Sequence, residues 1–198
     1  MKKNIVVFAS GGGTNFINIF KFIEKNNIDA KIVLLISNNP KCGAIRFAES
    51  NHIDIKIIND HRYPDLLKKN KEYELVLKYY KTDLILLAGF MKKIPFNIVD
   101  LYDNKIMNIH PSLLPQYGGQ GFYGMHVHEA VIKAKEEYSG ATVHFVNNEY
   151  DQGSIIIQKK IKVIKSETAA DLAERVLKIE HLIYPKAIKM YLNRLKVD

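Results

Sequence analysis

The sequence predicts an α/β fold: a doubly wound, mostly parallel, Rossmann-like sheet with antiparallel strands near its C-terminus. Three observations lead there. Short runs of Val, Ile and Leu alternate with longer amphipathic stretches through the first half of the chain. Such runs are apolar on both faces, as strands covered by helices on both sides must be. A Gly-rich turn, Ser10 to Asn15, separates the first run from the first amphipathic stretch. After Pro111 the alternation ends, and two strand-like runs follow each other across a short connection, a link that suits antiparallel neighbours.

The elements follow in order. Ile5–Ala9 is the first strand. Asn15–Lys25 carries Phe16, Ile19, Phe20 and Ile23 at helical spacing. Ile32–Ile36 is the second strand, Cys42–Asn51 a helix, Ile53–Ile58 the third strand and Tyr63–Tyr80 a helix. Leu84–Ala88 is the fourth strand, and Met107–Ile109 adds a short one. A loop through Gly118, Gly119, Gly121 and Gly124 precedes a helix over Met125–Lys135. Ala141–Val146 and Ser154–Val163 are the antiparallel pair, and a last helix, Ala169–Leu195, turns Leu172, Val176, Ile179 and Ile183 inward. Nothing resembling a linker or repeat interrupts this, so a single domain over 1–198 is expected, with halves of about 1–105 and 106–198.

Composition excludes several classes. The chain has 198 residues, 47% hydrophobic and 25% charged, which is an ordinary globular mix and too apolar for disorder. A single cysteine, Cys42, excludes a disulfide framework and cysteine-cluster metal sites, and is expected to be structural. No apolar run approaches the ~18 residues of a membrane span. Met1 to Asn4 mimics the basic end of a signal peptide, but the apolar stretch after it ends at Ser10. A cytoplasmic protein is expected. Lys and Arg number 29 against 21 Asp and Glu, a formal net charge of +8. The lysines are scattered in doublets rather than clustered, which argues against a nucleic-acid arm, but charge alone leaves nucleic acid, a membrane surface and small anions open as partners.

Three places carry chemistry. In the turn Ser10-Gly11-Gly12-Gly13-Thr14-Asn15, glycines allow close approach of a ligand and the following helix offers free amides to an anion. A dinucleotide fingerprint would need a third glycine where Phe16 stands and an acidic residue after strand two, which ends Ser37-Asn38-Asn39. No Walker-type Gly-Lys-Ser/Thr is present either, so a single phosphate fits best. Second, if 107–109 is extended, Asn108 and His110 share a side. A carboxamide can donate to an oxyanion, and an imidazole can exchange a proton near neutral pH. Third, Asp151 followed by Gly153 reads as a tight loop with an exposed carboxylate. Spacing leaves a turn residue and a catalytic one both open. A carboxylate near His110 would raise its pKa and hold the imidazolium. His126 and His128 are two apart on a helix and so face differently, which disfavours a metal site. His144, between Val143 and Phe145, faces the site or packs.

Five segments together resemble the phosphoribosylglycinamide formyltransferases, a folate-dependent family, nearly end to end: S-G-G-G-T-N at 10–15, L-A-G-F-M at 87–91, N-I-H-P-S-L-L-P at 108–115, H-F-V-x-x-E-x-D-x-G at 144–153 and R-V-x-x-x-E-H-x-x-Y-P at 175–185. The resemblance implies formyl transfer from 10-formyltetrahydrofolate, as co-substrate, to the amine of 5′-phosphoribosylglycinamide in purine biosynthesis, without a metal. It implies catalysis by Asn108, His110 and Asp151, with protonated His110 helping Asn108 to hold the oxyanion. Gly13, Thr14 and Asn15 would bind the substrate phosphate, and Glu180 the same substrate. Folate would lie against Met91, Lys92, Lys93 and Ile94, Asn108, and Asn147, Asn148, Glu149, Tyr150 and Asp151, largely through backbone groups. The phosphate falls to the N-terminal half, and catalysis and folate binding to the C-terminal half. The partners implied are small molecules, with neither nucleic acid nor membrane, and the protein a monomer or homodimer.

The sequence departs from the family pattern at Leu177, where a polar residue is common, and in the longer Gly-rich stretch Gln116–Gly124. No arginine matches the one that meets the folate tail; Arg62 aligns too loosely. Rival readings are a 10-formyltetrahydrofolate hydrolase, a sugar-nucleotide formyltransferase or a catalytically silent nucleotide- or folate-binding protein. A tRNA formyltransferase is expected to need a further C-terminal domain of about 100 residues.

Overall fold

The computed structural model describes residues 2–194. The chain divides between Met107 and Asn108 into two compact units. The strand order is β3-β2-β1-β4-β5-β6-β7, and the predicted sheet of parallel strands with an antiparallel C-terminal pair is the one found.

The first unit holds β1 (Lys3–Phe8), α1 (Thr14–Lys25), β2 (Ala30–Ser37), α2 (Gly43–Ser50), β3 (Asp54–Ile57), α3 (Leu66–Tyr79), β4 (Leu84–Leu87), α4 (Phe96–Leu101) and the start of β5 (Ile106–His110). β1 lies between β2 and β4, parallel to both. Ile5 to Phe8 and Leu84 to Leu86 are fully buried, which is why these strands read as unbroken apolar runs. Because β2 and β4 leave β1 on opposite sides, the turn after β1 stands where an open α/β sheet takes its ligands, at the carboxyl ends of the strands. α1 buries Phe16, Ile19 and Ile23, and Phe16 meets Phe47 edge-on at 5.2 Å.

One boundary moves here for a local reason, and one short helix is added. The third helix starts at Leu66 rather than Tyr63. Pro64 disfavours helical backbone at the residue before it, and the Asp65 side chain caps the helix by accepting the Lys68 N–H at 3.0 Å. The six-residue α4, entered through Pro95, was not anticipated.

The second unit holds the rest of β5, then α5 (Met125–Lys133), β6 (Tyr138–Phe145), β7 (Ile155–Lys162) and α6 (Ala169–Arg194). α5 stops at Lys133, two residues before the expected end, and Lys135 turns the chain with φ of 56°. β6 begins at Tyr138, earlier than Ala141, and pairs antiparallel with β7 from Tyr138 opposite Lys162 to His144 opposite Ile155. Within that pair Gly140 has no room for a side chain, since a Cβ would stand 2.1 Å from the Lys159 carbonyl oxygen. α6 packs on α5 and β6. It buries Leu172, Val176 and Ile183, whereas Ile179 is only half-buried. The expected helix end at Leu195, and Met1, lie outside the described residues.

Candidate active site

β5 alternates as the sequence required. Ile106, Met107 and Ile109 are buried, and Asn108 and His110 project together toward one carboxylate, Asp151. Asp151 sits in the β6–β7 loop with φ of 56°. The loop folds back tightly on β6: Phe145 N–H donates to Ser154 O at 2.9 Å, and a Cβ on Gly153 would lie 1.7 Å from the Phe145 carbonyl oxygen. That return carries Asp151 inward. Its side chain is 12% exposed, so the expected exposed turn carboxylate is instead enclosed.

Four groups surround it. Asp151 Oδ2 accepts the Gly119 N–H at 2.9 Å. Asn108 Nδ2 donates to Oδ1 at 3.4 Å. His144 Nε2 lies 3.5 Å from Oδ1, and His110 Nδ1 lies 3.6 Å from Oδ2. The two histidine distances are charge contacts rather than hydrogen bonds. His144, 2% exposed in its side chain, points Nδ1 at the Phe145 carbonyl oxygen at 2.8 Å. A carbonyl only accepts, so the proton sits on Nδ1, and Nε2 accepts from Asn108 Nδ2 at 3.1 Å. Likewise His110 Nε2–H donates to the Tyr117 carbonyl at 2.7 Å, which leaves the Nδ1 lone pair of the neutral ring facing Asp151.

The titration of this group corrects one expectation. Burial pushes the His110 pKa down, and it outweighs the Asp151 carboxylate and the Tyr117 carbonyl, which pull it up; His144 adds to the lowering. His110 is therefore neutral near pH 7 instead of being held as imidazolium. Burial pushes the Asp151 carboxyl up, but the neighbouring His144 and His110 rings and the Gly119 N–H together outweigh it, and the group titrates below its usual range.

The exit from β5 is fixed by a hydroxyl network. Thr142 Oγ1 donates to Ser112 O at 2.7 Å and accepts from Leu114 N–H at 3.2 Å and Gln158 Nε2 at 2.9 Å. Ser112 Oγ donates to Gln116 O at 2.6 Å. On α5, His126 is 61% exposed and lies 3.5 Å from Glu129, whereas His128 is buried, so the two do face differently. The other expected site residues of this unit are Glu180, buried at 8% on α6, and the loop residues Asn147 to Tyr150, where Asn147 Oδ1 accepts the Glu149 N–H at 3.1 Å.

In the first unit, Gly13 opens α1 with φ of 79°. A Cβ there would stand 2.9 Å from Ala44, so the turn demands glycine twice over, by conformation and by space. No side chain caps α1, and no acidic residue lies in its first turn. Gly13, Thr14 and Asn15 thus present a helix N-terminus suited to an anion. Ser10 braces the turn: its Oγ donates to Asn38 Oδ1 at 2.5 Å and accepts the Met91 N–H at 2.9 Å. That bond ties the segment Met91 to Ile94 to the turn; Met91, Lys92 and Lys93 are exposed and Ile94 is buried. Cys42 is buried beside Ser37 Oγ, 3.4 Å away.

Sequence reasoning did not assign His144, Thr142, or the backbone groups of Tyr117 and Gly119. His144 carried a signal, since it lies in the same motif as Asp151. The backbone groups carried none, because any residue type has them.

The profile of the formyl transferase family matches residues 3–188. The chain belongs to the formyl transferase family. The chain is 41% identical over 188 residues to the chloroplastic phosphoribosylglycinamide formyltransferase of Arabidopsis thaliana, covering 94% of the chain but 64% of that protein. It thus spans less than two thirds of that relative's length. The phosphoribosylglycinamide formyltransferase of Bacillus subtilis is 35% identical, covering 96% of the chain and 95% of that protein. The crystal structure of glycinamide ribonucleotide transformylase 1 from Geobacillus kaustophilus superposes with a TM-score of 0.89 at 32% identity, covering 97% of the chain and all of that one. Among the described residues no helix is long and apolar enough to cross a membrane.

Proposed function

We propose that the chain transfers the formyl group of 10-formyltetrahydrofolate to the amine of 5′-phosphoribosylglycinamide, a step of purine biosynthesis, in the cytoplasm. The observation that carries this reading is the single carboxylate, Asp151, facing both a carboxamide and an imidazole. The acceptor's phosphate binds Gly13, Thr14 and Asn15, and Glu180 binds the same substrate. The folate lies against Met91 to Ile94 and Asn147 to Asp151. The enzyme acts as one domain over 1–198, as a monomer or homodimer, on small molecules, without nucleic acid, membrane or metal.

The amine attacks the formyl carbon, giving a tetrahedral intermediate with a negative oxygen and a positive nitrogen. Asn108 Nδ2 donates to the oxygen by exchanging its long 3.4 Å bond to Asp151. Neutral His110 can accept a proton, which preformed imidazolium could not. The His110–Asp151 pair takes the amine's proton, with the carboxylate stabilising the charged ring, and returns it to the leaving folate nitrogen. No covalent enzyme intermediate is required.

Formyl transfer measured with phosphoribosylglycinamide, water and tRNA as alternative acceptors tests the reading. Transfer to the ribonucleotide is expected, and Asp151→Asn should lower it about 10²–10⁴-fold, the range for a positioned acid–base group. Transfer only to water or tRNA, or an Asp151→Asn variant as fast as the wild type, overturns it.

A further inference from the structure

The Gly-rich stretch after β5 has a use that its composition does not show. Tyr117 and Gly119 grip the two titrating catalytic groups from one short piece of backbone. The Tyr117 carbonyl accepts the His110 Nε2–H at 2.7 Å, and the Gly119 N–H donates to Asp151 Oδ2 at 2.9 Å. The grip is conformationally demanding. Tyr117 is a non-glycine residue at φ of 54°, in the left-handed region, and Gly119 stands at 93°. Between them, a Cβ on Gly118 would come within 2.5 Å of the Leu114 side chain and 3.2 Å of Asp151 Cβ.

A left-handed tyrosine persists only where its surroundings hold it. Its carbonyl is committed to His110, so its side chain is the handle that remains. The Tyr117 hydroxyl donates to Glu136 Oε1 at 2.7 Å, and its ring meets Phe122 edge-on at 5.8 Å. Burial, and then the Glu136 bond, push the phenol pKa up to about 12, so the hydroxyl remains a donor at any working pH. Glu136 lies in the turn between α5 and β6, outside the motif segments, and its own N–H is fixed to Val131 O at 3.2 Å. It is thus anchored to a helix end, independently of the loop it holds.

We propose that Glu136 is a positioning residue for the reaction: by accepting the Tyr117 hydroxyl it keeps the Tyr117–Gly119 backbone where it holds His110 and Asp151. Asp151 is faced by His110 and Asn108 from β5, by His144 from β6 and by the Gly119 N–H; the loop supplies the last of these and orients His110 through the Tyr117 carbonyl. Releasing the loop removes a donor that favours the carboxylate, so the Asp151 pKa rises. In kinetic terms this rests on the formyl-transfer reading; in titration it does not.

Glu136→Ala and Tyr117→Phe are compared with Glu136→Gln, which keeps an acceptor oxygen for the hydroxyl. Tyr117→Phe keeps the ring on Phe122, and thermal melting identifies any variant that has lost its fold. Glu136→Ala and Tyr117→Phe should each lower kcat about 5- to 30-fold with KM for both substrates within twofold, and the double variant should be no worse than either, because one bond is removed in all three. Glu136→Gln should restore kcat. Independently of any substrate, the ¹³C titration of the Asp151 carboxyl should move to higher pH in Glu136→Ala and Tyr117→Phe and stay in place in Glu136→Gln. An unmoved Asp151 titration in folded Glu136→Ala, or losses in the two single variants that multiply in the double one, overturns the proposal. A wild-type protein that fails to formylate the ribonucleotide overturns the functional reading instead, and leaves the titration as the judge of Glu136.

Discussion

Asn108 serves two partners with one carboxamide. Its Nδ2 donates to His144 Nε2 at 3.1 Å and to Asp151 at 3.4 Å. The shorter bond orients the amide and the longer one is the bond that a substrate oxygen can displace. Asn108→Ala removes the proposed oxyanion donor and should lower kcat about 10²–10³-fold. His144→Ala leaves the donor but frees its orientation, so the loss should be smaller, about 10- to 100-fold. In an Asn108→Ala background most of the His144 effect should vanish, since nothing is left to orient. Single-turnover formyl transfer in the four proteins checks this, and fully multiplicative losses would show that His144 acts independently of Asn108. At this scale the sequence was informative about residue types and poor about their state. Asn108, His110 and Asp151 could be picked out by type and motif. That Asp151 is enclosed, and that His110 is pushed down rather than up, depends on burial, which only the folded loops create.

At the scale of elements, α5 carries a buried titratable group that the reaction as proposed does not use. His128 is 5% exposed, and its Nδ1 has no hydrogen-bond partner among the described residues. Burial, and then the nearby His110 charge, push its pKa from 6.5 down to about 4. The folded state therefore resists protonation where the unfolded chain accepts it. Stability from this group is fully present above pH 6.5 and is lost as pH falls from there toward 4, because the unfolded state binds more protons in that window. Allowing for partial solvation, the loss is about 2 kcal/mol. Urea unfolding from pH 7.5 to 4 should show the decline, and His128→Gln, which cannot titrate, should flatten it by that amount; an equally steep decline in the variant would place the acid sensitivity elsewhere. Elements such as β1 and β4 were legible because burial on both faces leaves an unbroken apolar run. The start of α3 was misplaced where periodicity outran Pro64 and the Asp65 cap. The short α4 lacks the length to show a period at all.

The whole molecule carries a formal net charge of +8, and the proposed substrates are both anions, a phosphorylated ribose and a folate with its glutamate tail. Scattered lysines make no single site, yet their summed field acts on approach and fades with the Debye length, which shrinks from ~30 Å at 0.01 M salt to ~8 Å at 0.15 M. Encounter should therefore slow with salt while chemistry at the enclosed Asp151 does not. The expected outcome is that kcat/KM for each substrate falls several-fold over that range while kcat changes little, provided capture limits kcat/KM. The discriminating comparison is between folate donors bearing one glutamate and several. A field effect must give the more negative donor the steeper salt dependence, whereas local contacts with one glutamate would give both the same slope. Equal slopes would mean that the basic surface is compositional and does not steer the folate donor.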